Sequence, residues 1–154
     1  MRKISLIVIH CSATRVDRDF TAKDVDTAHR YRGFSCWGYH YYIRKSGEVE
    51  PMRDEDTTGA HARGYNAISL GVCYEGGLDE NGKAADTRTP RQKEALHHLV
   101  KELLQRYING KTNCSLFSKH FAQDFVLLTQ NKMYILLFPI ICFSDFVLSL
   151  LLLS

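Results

Sequence analysis

The chain has 154 residues, of which 45% are hydrophobic and 24% charged, so it can bury a core and is not disordered by composition. This length predicts one domain. The net charge of +3 suits an anionic polymer as partner, but it is too small to indicate nucleic acid. We therefore expect a globular domain that is a monomer and has no nucleic-acid partner.

The cysteines and the N-terminus bear on the cellular compartment. Five cysteines form an odd set without a CxxC spacing, which argues against a disulfide scaffold and favours reduced thiols in a cytoplasmic product. The apolar run 4–9 follows a basic start, as in a signal peptide, but is shorter than the roughly 7–15 residues of such a segment. We interpret it as a strand and expect cytoplasmic synthesis without a signal peptide.

A histidine stands directly after this first strand. The run 4–9 is aliphatic and rich in β-branched residues, which is typical of a strand buried on both faces of a sheet. His10 then lies at the carboxyl end of the strand, where α/β sheets place their ligands. A lone histidine there also fits a hydrogen-bonded core residue, so the choice depends on further motifs.

Two helices are predicted by their capping residues. Each predicted helix follows a threonine that has an acid or an amide three residues later, which is the pattern of a capping box. The pairs are Thr21 with Asp24 before a helix over 22–31, and Thr89 with Gln92 before a helix over 90–107. The second helix is amphipathic, with apolar residues at helical spacing from Leu96 to Tyr107, and is predicted to pack on a sheet.

Three further strands complete the predicted fold. The runs 39–44 and 48–53 are joined by a short segment with glycine, which indicates a β-hairpin, and 69–74 has the composition of a buried strand. We therefore expect an α/β fold with a central mixed β-sheet flanked by helices. The expected domain covers residues 1–107 and is interrupted after the long helix, because 108–154 forms an atypical apolar tail.

Four motifs occur in a fixed order along the first two thirds of the chain. They are a strand followed by His10-Cys11-Ser12-Ala13-Thr14, then Gly38-Tyr39-His40, then His61-Ala62-Arg63-Gly64-Tyr65-Asn66, and finally Ser69-Leu70-Gly71-Val72-Cys73. In this order they resemble the zinc-dependent N-acetylmuramoyl-L-alanine amidases, nearest to the small phage lysozyme-amidases and more distantly to the peptidoglycan recognition proteins. The resemblance covers about residues 3 to 107.

The resemblance implies a reaction and three site residues. These enzymes cleave the amide between N-acetylmuramic acid and L-alanine in bacterial peptidoglycan, with Zn²⁺ as Lewis acid and activator of water. By resemblance, His10 is a zinc ligand and Tyr39 is the active-site tyrosine whose phenol donates to the zinc-bound water or the tetrahedral intermediate. His61 matches a histidine that lines the substrate groove, and we predict that it contacts substrate.

The other histidines of this region are assigned to packing or to the surface. His40 is expected to face away from Tyr39, because side chains alternate along a strand. The histidines at 29, 97 and 98 lie on predicted helices and are interpreted as surface or packing residues. Cys11 and Cys73 are interpreted as small core residues.

Two of the three zinc ligands that the resemblance implies have no counterpart here. The family pattern continues into a strand ending in Gly-His-x-Asp and a loop with Cys-Pro, and neither motif occurs in this sequence. His120 follows the long helix but lacks a preceding glycine, and the nearest acid is Asp124, four residues on. Because catalytic zinc usually takes three protein ligands, we expect zinc binding and activity to be impaired.

Three interpretations of the apolar tail remain open. It is the product of a shifted reading frame, a membrane-associated segment within 133–154, or a cap that folds on the domain. A span needs about 20 apolar residues, and Asp145 and Pro139 within the segment argue against one.

The expected function is that of a zinc amidase which acts on the bacterial cell wall and is impaired by the missing ligands. The alternatives are a non-catalytic peptidoglycan-binding module and an inactive, truncated product.

Overall fold

The fold centres on one mixed sheet with a helix against each face. A computed structural model describes residues 2–108, 127–128 and 134–137. The elements are, in chain order, β1 Leu6–Cys11, β2 Thr14–Arg15, α1 Ala22–Tyr31, β3 Tyr41–Ile43, β4 Val49–Pro51, a 3₁₀ turn Asn66–Ile68, β5 Ser69–Tyr74, β6 Gly77–Leu78, α2 Pro90–Ile108, β7 Leu127–Leu128 and β8 Tyr134–Leu137.

The strand order of the main sheet is β4-β3-β5-β1-β8-β7. The inner pairs β3–β5, β5–β1 and β1–β8 are parallel, while the outer pairs β3–β4 and β7–β8 are antiparallel. A second sheet joins the two-residue strands β2 and β6. The predicted α/β class with a mixed sheet and two flanking helices is confirmed.

Strand β1 lies in the middle of this sheet because its residues are apolar on both faces. Ile7 and Ile9 face α2 and pack with Leu96, Val100 and Leu103, all of which are fully buried or nearly so. Leu6 and Val8 face the other side, where they pack with Ala62. Helix α1 belongs to this second side, where Val25 packs with Tyr42 and Cys73.

Both predicted capping boxes are present. The Thr21 side chain accepts from the Asp24 N–H, and the Asp24 carboxylate accepts from the Thr21 N–H at 2.7 Å. At the start of α2, Thr89 and Gln92 make the same reciprocal pair at 3.0 and 3.1 Å. These bonds satisfy backbone donors that a helix start leaves unpaired, which explains why both helices begin where the sequence predicts.

The structure has the predicted helices and strands, but some strands differ in length from the prediction and further strands are present. The hairpin strands are shorter than predicted, with β3 limited to three residues and β4 to three. Strands β7 and β8 come from the region beyond the long helix, where no element was predicted, and β8 pairs with β1 from Leu6 to Ile9. The division into 1–107 and 108–154 remains a prediction.

Much of the apolar tail lies outside the described residues, including His120, Cys114, Cys142 and Asp145. In the part of the chain that the structure describes, no helix has both the length and the apolar character needed to cross a bilayer. The three cysteines described, Cys11, Cys36 and Cys73, are thiols that form no disulfide among the described residues.

Candidate active site

His10 lies at the carboxyl end of the central strand. Its Cα pairs with that of Cys73 on β5, so the end of β1 is held by a neighbouring parallel strand. Side chains alternate along β1, and His10 therefore shares a face with Leu6 and Val8, opposite to the α2 side. The ring is half-buried, and it meets two other rings, those of Tyr39 and His61.

Tyr39 lies between two histidines. Its ring centroid is 5.1 Å from that of His10 and 5.1 Å from that of His29 on α1. His29 is buried, and its Nδ1 accepts a 2.9 Å hydrogen bond from the Gly38 N–H, which fixes the backbone just before Tyr39. A Cβ at Gly38 would stand 2.3 Å from the Ala60 carbonyl oxygen, so this position requires glycine. His29 is thus a packing residue, as predicted from its helix.

His61 is held over the sheet by its own loop. The Asn66 Oδ1 accepts from the backbone N–H groups of His61 and Ala62, both at 2.9 Å. The ring of His61 lies directly on Gly71 of β5, where a Cβ would be 2.6 Å from its Cγ and Cδ2 atoms. The motif that begins at His61 and the motif that contains Gly71 therefore depend on each other, because the missing side chain of Gly71 leaves the space that the His61 ring occupies.

The three predicted site residues are brought together. His10 Nε2 and His61 Nδ1 are 3.2 Å apart, and the ring centroids of Tyr39 and His61 are 6.3 Å apart. His61 Nε2 is 3.4 Å from Ser69 Oγ. The cluster lies at the end of the central strand, which is where the sequence predicted a ligand to bind.

Burial keeps these imidazoles neutral. It lowers the pKa of His10 to about 4. Burial, together with the neighbouring His10 and His40, lowers the pKa of His61 to about 2. Neutral imidazole has a lone pair on one ring nitrogen and a proton on the other. Near pH 7, His10 and His61 can therefore each accept one hydrogen bond and donate one.

His40 joins this cluster, which the sequence analysis did not predict. The prediction that His40 faces away from Tyr39 is wrong, because its ring lies 5.7 Å from that of His61, which Tyr39 also meets. The strand begins only at Tyr41, so Tyr39 precedes it and does not follow the alternation. Its Nδ1 accepts from the Gly71 N–H at 2.9 Å, and its Nε2 donates to the Thr57 carbonyl at 3.0 Å. His40 is fully buried and braces the strand and loop that carry His61. A Gly-Tyr-His motif alone contains no signal for this long-range contact.

The described residues do not form a complete zinc site. Catalytic zinc usually takes three protein ligands. Across residues 2–108 and the two short strands that follow, no group of three or more His, Cys, Asp or Glu side chains could hold a metal ion. Of the ligand set that the resemblance implies, these residues contain His10 alone.

A separate pocket is lined by none of the described histidines. It has a volume of 470 Å³ and is lined by side chains that include Tyr41, Arg53, Glu55, Arg106 and Tyr107. Glu55 accepts from both tyrosine hydroxyls and from Arg106. None of the three predicted site residues lines this pocket.

Comparison with known proteins decides the family. A family model described as N-acetylmuramoyl-L-alanine amidase matches residues 1–132. The chain belongs to this family. Among its relatives, the endolysin of Klebsiella phage KP32 is 41% identical over 106 residues, 69% of this chain and 70% of that protein. The endolysin of Escherichia phage T7 is 41% identical over 101 residues, 66% of this chain and 67% of that protein.

Solved structures of other proteins share this fold. The amidase LysC from Clostridium intestinale is 36% identical with a TM-score of 0.59, and the match covers 70% of this chain and 66% of that chain. Drosophila peptidoglycan recognition protein SD is 23% identical with a TM-score of 0.58, and the match covers 70% of this chain and 64% of that chain. At this identity the likeness supports a shared fold and nothing more. The predicted resemblance is confirmed, and the match covers 66% of the LysC chain and 64% of the recognition protein chain.

Proposed function

We propose that this chain acts on bacterial peptidoglycan at the amide between N-acetylmuramic acid and L-alanine. The single observation that carries the proposal is the convergence of His10, Tyr39 and His61 at the carboxyl end of β1. Membership of the amidase family, and relatives named endolysins, supply the reaction class. The site of action is then the cell wall.

In this proposal the three residues have different tasks. His10 is the one assignable ligand for Zn²⁺, which in this family supplies Lewis-acid chemistry. The Tyr39 phenol donates a hydrogen bond to the oxyanion that forms when the amide carbonyl is attacked, which stabilises developing charge. His61 borders the same groove, where contact with the substrate is its predicted role.

We further propose that hydrolysis is impaired, because two ligands of the family's zinc site have no counterpart in this sequence. The lack of a three-ligand group among the described residues also favours a second candidate, a module that binds peptidoglycan without cleaving it. Such a module keeps the groove but not the metal.

Two assays on the full chain separate these candidates. The first measures release of stem peptides from purified peptidoglycan with and without added zinc, for the wild type, His10→Ala and Tyr39→Phe. Zinc-dependent release that both substitutions reduce supports the amidase. The second measures co-sedimentation with insoluble peptidoglycan, and retention without release supports the binding module. Neither release nor retention would contradict both candidates and favour an inactive product.

A further inference from the structure

Three polar side chains, Ser69, His61 and His10, form a row of contacts that begins in the protein interior and ends at the end of β1. It begins at Ser69, which is buried, and whose hydroxyl is 2.8 Å from the Tyr65 carbonyl oxygen. A carbonyl can only accept, so the single hydroxyl hydrogen of Ser69 is committed to it. Towards any other neighbour, Ser69 Oγ can act only as an acceptor.

The hydrogen bond from Ser69 to the Tyr65 carbonyl determines the tautomer of His61. Its Nε2 faces Ser69 Oγ at 3.4 Å, a long hydrogen bond that exists only when Nε2 has the proton. Neutral His61 then has its lone pair on Nδ1. The opposite tautomer would set the lone pair of Nε2 against those of Ser69, which is repulsive.

The tautomer of His61 in turn decides that of His10. His61 Nδ1, as an acceptor, is 3.2 Å from His10 Nε2, so the proton between them belongs to His10. Neutral His10 therefore has its lone pair on Nδ1, and any group that meets this nitrogen must be a hydrogen-bond donor or a metal ion.

We propose that His61 is a positioning residue for His10, which fixes the Nε2–H tautomer and the ring orientation so that Nδ1 is the basic nitrogen at the end of β1. The importance of this nitrogen rests on the proposed function, whereas the tautomer does not. In metal sites, the hydrogen bond made by the second nitrogen of a histidine performs this task.

The packing around His61 suits a positioning role. Its backbone is held by Asn66, and its ring lies on Gly71 without space for a Cβ between them. A ring so constrained on one side and bonded at both nitrogens has little freedom to follow a substrate. The positioning role stands beside the contact with substrate that the sequence predicts, and the two are separable by experiment.

Three variants test the proposal. His61→Asn offers an amide oxygen near the position of Nδ1 and can still accept from His10, whereas His61→Phe keeps a flat ring but cannot accept. Ser69→Ala leaves His61 in place and removes the group that selects its tautomer. His98→Asn is the matched control, because His98 lies on α2 with its side chain 72% exposed.

The decisive measurement is the ¹⁵N spectrum of the imidazoles in the metal-free full chain near pH 7. We expect His10 in the wild type to have a protonated Nε2 and an unprotonated Nδ1. This signature should persist in His61→Asn and His98→Asn, and become a mixture of both tautomers in His61→Phe. Protonated Nδ1 in the wild type, or an unchanged His10 signature in a folded His61→Phe, would overturn the proposal.

Ser69→Ala keeps the test valid if His61→Phe does not fold. This variant should also yield mixed tautomers at His10, and an unchanged His10 signature in it would overturn the proposal.

A kinetic test applies if stem peptides are released. His61→Phe should then lower kcat about 10- to 100-fold with little change in KM, and His61→Asn should restore part of the lost kcat. A higher KM with unchanged kcat would indicate substrate contact alone. Absence of release in every variant would count against the proposed function, while the tautomer result would still decide the positioning role.

Discussion

The ring of His61 lies so close to the backbone of Gly71 that a Cβ atom there would be 2.6 Å from its Cγ and Cδ2 atoms. Real Cβ atoms do not approach so closely, and Gly71 is buried in β5, which is paired with β1 on one side and with β3 on the other. The position of His61, and through it the hydrogen bond to His10, therefore depends on the absence of one methyl group.

The first prediction follows from this contact. Gly71→Ala should lower the free energy of unfolding by about 1–3 kcal/mol, the usual cost of overpacking, and displace His61. Urea denaturation measures the stability, and the His10 ¹⁵N signature reports the displacement. In a His61→Ala background the same substitution should cost much less, because the ring is gone. Equal costs in the two backgrounds would contradict the contact.

The sequence predicts the parts of the site that depend on local patterns. The aliphatic run before His10 indicates a central strand, the capping boxes at Thr21 and Thr89 begin both helices, and the order of motifs identifies the family. Each of these signals lies within a few neighbouring residues. The three predicted site residues came from the motifs, and the structure brings their rings within contact distance of one another.

The parts that were missed depend on contacts between distant residues. His40 is buried because Gly71 and Thr57, 31 and 17 residues away, supply its partners, and no periodicity records this. Strands β2 and β6 have two residues each, too few to show alternation. Gly71 is recognisable from the sequence as a motif residue. Why the position must be glycine follows only from the structure, in which the ring of His61 packs against it.

The second prediction concerns acid sensitivity and His40. Burial lowers the pKa of His40 to about 4, while an unfolded histidine titrates near its ordinary value of 6.5. Between these values the unfolded chain binds more protons, so the stability contributed by neutral His40 is present above pH 6.5 and is lost as the pH falls towards 4. This residue alone should cost about 2 kcal/mol between pH 7 and pH 5.

A variant isolates this contribution. His40→Asn retains an acceptor near Nδ1 for the Gly71 N–H and does not titrate. Its free energy of unfolding, measured by urea denaturation at pH 7 and pH 5, should fall by about 2 kcal/mol less than that of the wild type. Other titrating groups are common to both proteins and cancel in the difference. Parallel pH dependences would show that His40 is not kept neutral by burial.

The third prediction concerns the buried carboxylate of Glu75, which joins three parts of the chain. It accepts from the Phe20 N–H at 2.7 Å, from Arg44 Nε at 2.9 Å and from the Lys45 N–H at 3.0 Å, and its side chain is fully buried. Burial alone would raise the pKa of Glu75, but the hydrogen bonds from Lys45, Arg44 and Phe20 bring it below its ordinary value.

Glu75→Gln keeps the shape but turns one acceptor into a donor that faces another donor. We expect a loss of about 2–4 kcal/mol in the free energy of unfolding, below the full cost of a broken buried pair because Arg44 is partly exposed. Glu80→Gln, in an exposed loop, is the control and should change stability by less than about 0.5 kcal/mol. Equal free energies of unfolding for the two variants in urea denaturation would show that the hydrogen bonds of Glu75 do not stabilise the fold.

The last prediction concerns zinc. His10 is the single zinc ligand that the family resemblance predicts in this sequence, and one imidazole does not hold zinc tightly, since useful affinity comes from three or four ligands acting together. We expect the purified full chain, dialysed after exposure to zinc, to retain well below one zinc ion per chain by elemental analysis. His10→Ala should lower whatever remains. A tightly held stoichiometric zinc that His10→Ala removes would contradict the prediction, and would direct the search for its other ligands to His120 and the cysteines beyond the long helix.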